Sequence, residues 1–289
     1  MRLDGRREST NVDDRRRSGG GKKVGGLGIG AIVIALLIAW LTGQNPLNVI
    51  SNMDMGSMSP TTEQVSEREF TAEEEELASF SKKVLAGTED VWSKVFKENG
   101  MTYQPPRMVL FTGSVQTDCG GATSQVGPFY CSADQSIYID LSFFSQMKNQ
   151  LGAGGDFAYA YVIAHEVGHH VQYLLGTLGK AHSQMSSMSQ EKANKISVRL
   201  ELQADFYAGL WAYHDNRMFG SIEEGDIEEA LNCASKIGDD YLQKQAQGYA
   251  QPESFTHGTA KQREKWLKKG LTTGDIRQGD TFSISESML

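Results

Sequence analysis

Two histidines and a glutamate stand close together in residues 164–171, which read AHEVGHHV. His165 and His169 are four residues apart, so on a helix their imidazoles lie on one side, about one turn from each other. At that spacing both rings can bind one metal ion, while Glu166 is rotated aside and sits near a third ligand position. The spacing therefore predicts a zinc site.

A catalytic zinc needs one further protein ligand and keeps its fourth position for water. Glu201, in RLELQADFYAG on a predicted helix, supplies a carboxylate for that role. Asp205 follows one turn later on the same face and can accept a hydrogen bond from the outer nitrogen of a ligating imidazole. The predicted ligands of one zinc ion per chain are therefore His165, His169 and Glu201.

The helix that carries these histidines has an apolar face made by residues between 160 and 175, and the two imidazoles fall on the opposite side. They are therefore not part of the core stripe. His170 lies about 100° around the helix from His169, so it cannot share an ion with the other two. We interpret His170 as structural.

The elements that must position these residues change in type along the chain. Thr71 to Glu74 form a capping box that opens a helix. Residues 107–113 (RMVLFTG) and 136–144 (SIYIDLSFF) are rich in β-branched and aromatic residues, which predicts strands. From residue 156 onward the pattern is helical. A strand-containing first half followed by a helical second half predicts the α+β class.

HEVGH followed by ELQAD resembles the HExxH…ExxxD arrangement of gluzincin metallopeptidases. The chain from about residue 70 to its end also resembles the bacterial family of membrane-anchored neutral zinc metallopeptidases. The resemblance implies a zincin-like domain, zinc ligands at His165, His169 and Glu201, and Glu166 as general base. This agrees with the chemistry of the residues, since a carboxylate beside a zinc-bound water can take its proton.

Residues 254–266 (SFTHGTAKQREKW) are similar to the late His-plus-Arg segment of the CAAX-prenyl-endopeptidase family, with His257 and Arg263 six residues apart. We expect His257 to donate a hydrogen bond to the oxyanion of the tetrahedral intermediate; an exposed loop histidine is the alternative. Arg263 is expected to orient Asp205 or another carboxylate.

Charge is distributed unevenly over the 289 residues, whose formal net charge is −8. Residues 1–50 carry eight Lys and Arg against four Asp and Glu, while the rest of the chain is acidic. An acidic body argues against nucleic acid as a partner, because phosphate binding needs a clustered cationic face. The glycine- and serine-containing basic head, residues 1–23, reads as a disordered cytoplasmic tail.

Residues 24–41 are uncharged and mostly apolar, close to the shortest helix that spans a bilayer. The basic residues before them predict, by the positive-inside rule, a cytoplasmic N-terminus. A cleaved signal peptide and a buried core helix are the alternatives. We therefore expect a single-pass protein of the bacterial inner membrane, with a linker at residues 42–69 and an extracytoplasmic catalytic domain at residues 70–289.

Cys119 and Cys131 bracket a glycine-containing stretch that can fold back on itself. In an exported chain they are expected to form a disulfide, and two unpaired buried thiols are the alternative. Cys233 is left over and resembles a small core residue of a helix.

The leading functional hypothesis is a membrane-tethered zinc endopeptidase acting on peptide or protein substrates. The segment from Ser124 to Phe129 is expected to offer a sheet edge to a bound peptide. One alternative is a catalytically silent zinc-containing scaffold of the cell envelope, and another is a zinc hydrolase of a different amide, such as a cell-wall peptide. The sequence predicts neither the substrate nor the oligomeric state.

Overall fold

The computed structural model describes residues 1–17 and 69–289 of the chain. The helices in these ranges are α1 (Ala72–Glu98), α2 (Ser142–Gln146), α3 (Asp156–Leu174), α4 (Thr177–Met185), α5 (Gln190–Phe219), α6 (Asp226–Lys236), α7 (Asp239–Gln247) and α8 (Ala260–Thr273). The strands are β1 (Val12–Asp14), β2 (Arg107–Phe111), β3 (Ser114–Thr117), β4 (Gly120–Thr123), β5 (Phe129–Cys131) and β6 (Ser136–Asp140).

A mixed sheet with the strand order β1-β2-β6-β5 lies against the helices. β1 and β2 are parallel, as are β2 and β6, whereas β5 runs antiparallel to β6. Alternate side chains of β2 and β6 point to opposite faces. One face packs into the main core with Met108, Leu110, Ile137 and Ile139. The other face packs with Val109, Phe111, Tyr138 and Cys131.

The predicted strands at residues 107–113 and 136–144 are confirmed, but both end earlier than expected. Asp140 explains both endings, because its carboxylate accepts hydrogen bonds from the backbone of Gly113 (2.8 Å) and Ser142 (3.0 Å). The apolar residues after Asp140 therefore begin helix α2 rather than extend the strand.

Cys119 and Cys131 form the predicted disulfide. The bond ties the turn of the β3-β4 hairpin to the last residue of β5, so the hairpin is held next to the edge of the main sheet. Cys233 is a free and fully buried thiol in α6, as expected of a core residue.

Residues 1–17, called here the N-terminal strap, are part of the folded body. β1 adds to the main sheet, with Val12 beside Met108. Arg6 forms an ion pair of 2.9 Å with the buried Asp215 of α5. The ammonium group of Met1 lies 2.7 Å from Asp156 and 3.1 Å from Asp226. The strap is therefore fixed at several points to helices far along the chain.

The strap corrects the predicted localisation. The predicted membrane helix, residues 24–41, lies outside the described residues, as does the predicted linker up to residue 68. In the described ranges, 1–17 and 69–289, no helix is both long and apolar enough to cross a membrane. A single crossing would separate β1 from β2, which are paired. A single-pass inner-membrane protein with a cytoplasmic N-terminal tail and an extracytoplasmic catalytic domain is therefore the wrong prediction.

The strap also packs closely against helix α1 at Gly87. The capping box of Thr71 and Glu74 is confirmed, and Gly87 lies inside the helix. A Cβ atom on Gly87 would lie 2.8 Å from the Arg6 guanidinium and 2.9 Å from the Asp215 carboxylate. Glycine is needed there for close packing and not for a turn.

Helices α5 and α8 cross at glycines. A Cβ atom on Gly209 would lie 2.2 Å from the carbonyl oxygen of Leu267, and one on Gly270 would lie 2.1 Å from that of Phe206. Any side chain at these positions would push the two backbones apart. The close crossing brings the start of α8, with Arg263, against α5.

The α+β class is confirmed, with a small sheet in the first half and packed helices in the second. The finer expectation of a zincin-like domain stays a prediction. The helical pattern of residues 227–245 (IEEALNCASKIGDDYLQKQ) divides into α6 and α7 at Gly238, where a Cβ atom would lie 2.3 Å from the backbone nitrogen of Ala260. That break turns the start of α7 toward the loop before α8.

Candidate active site

The candidate site forms where α3 crosses α5. Gly168, the fourth residue of HEVGH, packs against Ala204, and a Cβ atom on Gly168 would lie 3.0 Å from the Ala204 carbonyl oxygen. Both helices are therefore close enough for their polar side chains to meet. The side of α3 that carries His165 is covered by α5, so His165 is buried and not solvated.

His165, His169 and Glu201 come together at this crossing, with donor atoms that all lie within 4.8 Å of one another. Glu201 Oε2 lies 3.1 Å from His165 Nε2, and Glu201 Oε1 lies 3.5 Å from His169 Nε2. The three predicted ligands are thus adjacent.

The spacing of these atoms fits zinc. At bond lengths near 2.1 Å, neighbouring ligand atoms of a tetrahedral zinc site lie roughly 3.4 Å apart. The separations of 3.1 and 3.5 Å between Glu201 and the two imidazoles are close to that value. Two imidazole nitrogens and one carboxylate also match the donor types of a catalytic zinc site that retains an open position.

Asp205 lies behind His165, as predicted. Its Oδ1 atom accepts a hydrogen bond of 2.8 Å from His165 Nδ1, which leaves the Nε2 lone pair of a neutral ring facing Glu201. Arg263 donates two hydrogen bonds of 2.9 Å to the same carboxylate, so the predicted pairing of Arg263 with Asp205 is present. Tyr161, which the sequence reasoning missed, donates a further bond of 2.6 Å.

Burial and charge act against each other in this group. Burial alone raises the pKa of Asp205, but Arg263 and His165 lower it by a larger amount, so the net pKa is below its usual value. Burial lowers the pKa of His165, whereas Asp205 and Glu201 raise it more, to about 10. Without a metal the site thus gains positive charge by protonating His165.

Glu166 is buried beside the two imidazoles, and its side chain makes no hydrogen bond within residues 1–17 and 69–289. Burial raises the pKa of its carboxyl group, while His169 and His165 partly offset the increase. The carboxyl group is therefore free to hydrogen-bond a water molecule. A raised pKa also suits a group that must take and return a proton near neutral pH.

His257 reaches the site from the loop before α8, and it lowers the pKa of both Glu201 and Glu166. Its side chain is 40 % exposed, so it faces open space on one side. Asp239, the first residue of α7, holds this loop through its carboxylate, which lies 3.4 Å from His257 Nδ1 and accepts backbone hydrogen bonds from residues 256–258. Asp239 was missed because no local pattern links it to His257.

His170 faces away from the donor atoms. Its Nε2 donates to the backbone carbonyl of Gln104 (2.6 Å), so its Nδ1 accepts from the Tyr130 hydroxyl (2.9 Å). Tyr130 belongs to β5, which is an edge strand of the main sheet. His170 thus ties the sheet edge to α3, in agreement with a structural role. The edge lies at Phe129–Cys131 rather than at the predicted Ser124 to Phe129, whose first residues form a 3₁₀ turn.

A helix with HExxH beside a second helix with a glutamate is typical of zinc metallopeptidases. The chain belongs to the family described as Putative neutral zinc metallopeptidase, whose model matches residues 1–282. It is similar to the uncharacterized protein YpfJ of Escherichia coli K12, with 47 % identity over 291 residues, which cover 99 % of this chain and 100 % of the relative. It is also similar to the uncharacterized protein Rv2575 of Mycobacterium tuberculosis H37Rv, with 45 % identity over 194 residues and 64 % of each chain covered. No solved structure matches the chain significantly.

Proposed function

We propose that the protein is a zinc-dependent endopeptidase with His165, His169 and Glu201 as the ligands of one zinc ion. The observation that supports this most directly is the meeting of these three donors beside Glu166, a buried carboxyl group without a structural partner in the described chain. A purely structural zinc site has no need of such a group and normally closes all four positions with protein ligands. Membership of the family also favours zinc.

Glu166 is the proposed general base and acid. When bound, zinc lowers the pKa of its water to near 7 and polarises the scissile carbonyl group. Glu166 takes the proton from the attacking water and later gives it to the nitrogen of the leaving amine. The raised pKa of its carboxyl group, which results from burial, makes the Glu166 carboxylate a stronger base toward that water.

His257 is the proposed hydrogen-bond donor to the substrate carbonyl oxygen as that oxygen gains negative charge. Burial lowers the pKa of His257, but Glu201 and Asp239 raise it more, so its net pKa lies above the usual value. A histidine with a raised pKa is more often protonated and is then a stronger donor. Asp239 holds the backbone of residues 256–258 and thereby fixes where the ring points.

We propose that the substrate is an extended peptide that adds to the edge of β5 that has no neighbouring strand among the described residues. On its other side β5 pairs with β6, and the Tyr130 to His170 hydrogen bond holds it against α3. A peptide added there receives main-chain hydrogen bonds, as in other cases of β-strand addition. Such binding also passes the peptide close to the helix that carries Glu166.

A comparison of wild-type protein with Glu166→Gln tests this function. The full chain is needed, because the N-terminal strap is part of the fold. Each purified protein is assayed for zinc content and for cleavage of a proteome-derived peptide library by mass spectrometry. We expect one zinc per chain in both, with cleavage by Glu166→Gln lower by about 10²- to 10⁴-fold.

Glu98→Gln, an exposed substitution at the end of α1, is the matched control and should cleave like the wild type. Full zinc content without cleavage of any peptide by the wild type would contradict the proposal. That result would favour either a zinc-containing scaffold or a hydrolase of another amide, which cell-wall peptides would then distinguish.

A further inference from the structure

The outer nitrogen of His169 has a partner that is unlike the partner of His165. His169 Nδ1 lies 2.9 Å from the side-chain oxygen of Gln172, one turn later on α3. Gln172 is fully buried. Its amide nitrogen donates hydrogen bonds to the backbone carbonyl of Leu200 (2.7 Å) and to the side-chain oxygen of Gln203 (3.1 Å). The Gln172 amide thus connects α3 to α5 beside the candidate zinc site.

The neighbours of Gln172 fix which way its amide points. The carbonyl oxygen of Leu200 can only accept a hydrogen bond, so the nitrogen end of the amide must face it. The oxygen end therefore faces His169, and because this oxygen can only accept, His169 Nδ1 must carry the hydrogen. In the neutral ring, Nε2 then has the lone pair, and it faces Glu201 Oε1 at 3.5 Å.

We propose that Gln172 is a positioning residue for zinc binding. It holds His169 in the tautomer and ring orientation that turn the Nε2 lone pair toward the other two donors. This inference depends on the proposed zinc site and adds a residue that the HExxH pattern does not include.

The amide chain continues beyond Gln172. Gln203 donates a hydrogen bond of 2.8 Å to the backbone carbonyl of Gly279, in the 3₁₀ turn Ile276–Gly279 after α8. Gln203 is itself buried, so its own orientation is fixed in the same way. His169 is thus oriented by two neutral side-chain amides, Gln172 and Gln203, the second of which donates to a backbone carbonyl. His165, in contrast, is oriented by the charged pair of Asp205 and Arg263.

Two substitutions separate the positioning role from a merely structural one. Gln172→Leu removes both the oxygen that accepts from His169 and the nitrogen that donates to Leu200. Gln172→Glu keeps an acceptor for His169 Nδ1 and loses the donors. If Gln172 acts by positioning, zinc affinity is kept in the variant that still accepts a hydrogen bond from His169 and is reduced in the variant that does not. Thermal stability is reduced in both, because both lose hydrogen bonds to α5.

The measurements are zinc affinity, by competition with a chelator at a temperature far below unfolding, and the visible spectrum of the cobalt-substituted full chain. We expect Gln172→Leu to bind zinc about 10- to 100-fold more weakly, as when other partners of ligating histidines are lost, and to alter the cobalt spectrum. Gln172→Glu should keep wild-type affinity or exceed it while its Tm falls. Asn194→Leu, which removes a buried amide elsewhere on α5, should lower only Tm.

Wild-type affinity in Gln172→Leu would overturn the inference and leave the proposed function standing. Equal loss of affinity in Gln172→Leu and Gln172→Glu would also overturn it, since the amide would then act only through folding. If Gln172→Leu does not fold, the affinity of Gln172→Glu decides. A folded wild-type chain that binds no zinc would overturn both the proposed function and this inference.

Discussion

Two groups of metal-type donors include residues from opposite halves of α3, and they differ in how their charge is balanced. The first is His165, His169 and Glu201; the second is Asp156, Asp226 and Glu229, whose oxygens also lie within 4.8 Å of one another. In the second group the Met1 ammonium lies between two of the carboxylates, and Glu229 accepts a hydrogen bond from the first turn of α3. The second group therefore already contains a cation, one that belongs to the chain itself.

The first group has no such internal cation between its donors in the described chain. Arg263 is directed at Asp205, behind His165, and not at Glu201. The raised pKa of His165 indicates that the site fills this deficit with a proton. Clustered donors alone therefore do not identify a metal site. What distinguishes one is positive charge that the fold itself does not supply.

The largest expected effect is on metal content. His165→Ala and Glu201→Ala each remove one of the three proposed ligands and should reduce bound zinc from about one per chain to near zero. Asp226→Asn, in the second group, should leave the zinc content unchanged. Elemental analysis after dialysis measures the difference. If Asp226→Asn also lost zinc, the two groups could not be distinguished as proposed.

Asp205→Asn should weaken zinc binding about 10- to 100-fold, because the hydrogen bond that orients His165 is weakened. It also leaves the buried Arg263 without its carboxylate, which typically lowers the free energy of unfolding by about 3–5 kcal/mol. Chelator competition and denaturant unfolding measure the two effects. Unchanged zinc affinity in a folded Asp205→Asn protein would argue against the orienting role of Asp205.

Zinc binding should release protons. The pKa of His165 is raised above its ordinary value of 6.5 to about 10 in the metal-free protein, so zinc must displace a proton from His165 at neutral pH. Zinc affinity should therefore rise with pH up to about 10. Protonated His165 also stabilises the metal-free protein. This stabilisation is fully present below pH 6.5 and is lost as the pH rises to about 10. Calorimetry in buffers of different ionisation enthalpy counts the protons, and no release at pH 7 would contradict the assignment.

The smallest effect is expected at the second group. Burial lowers the pKa of the Met1 ammonium, but the hydrogen bonds that it donates to Asp156 and Asp226 raise it more, from 8.0 to about 10. Because the folded-state pKa is raised, this stabilisation is present below pH 8 and is lost as pH rises toward 10. A partly exposed ion pair of this kind contributes about 1 kcal/mol or less. The difference in Tm between wild type and Asp226→Asn should therefore shrink from pH 7 to pH 10.

Helix periodicity predicted that His165 and His169 lie on one side of a helix. Glu201 was predicted from the need for a third zinc ligand and from the resemblance, and its carboxylate lies beside both imidazoles. The sequence also offered Asp205 or another carboxylate as the partner of Arg263, and Arg263 pairs with Asp205. Asp239 and Gln172 could not be predicted, since each acts across a contact between elements that no local spacing records. The N-terminal strap was missed for the same reason. Its arginine-rich sequence is typical of a disordered tail, and the acidic residues that bind these arginines, such as Asp215, lie on helices far along the chain.

The strap has a consequence for how the chain is made. β1 can pair with β2 only after Met108, the partner of Val12, has been synthesised. Arg6 can form its ion pair only after Asp215 has been synthesised. The strap thus leaves the ribosome before its partners have been synthesised, and it docks after them. Contacts so distant in the sequence form slowly. Folding of this protein can therefore finish only after most of the polypeptide has been synthesised, and the docked strap marks its completion.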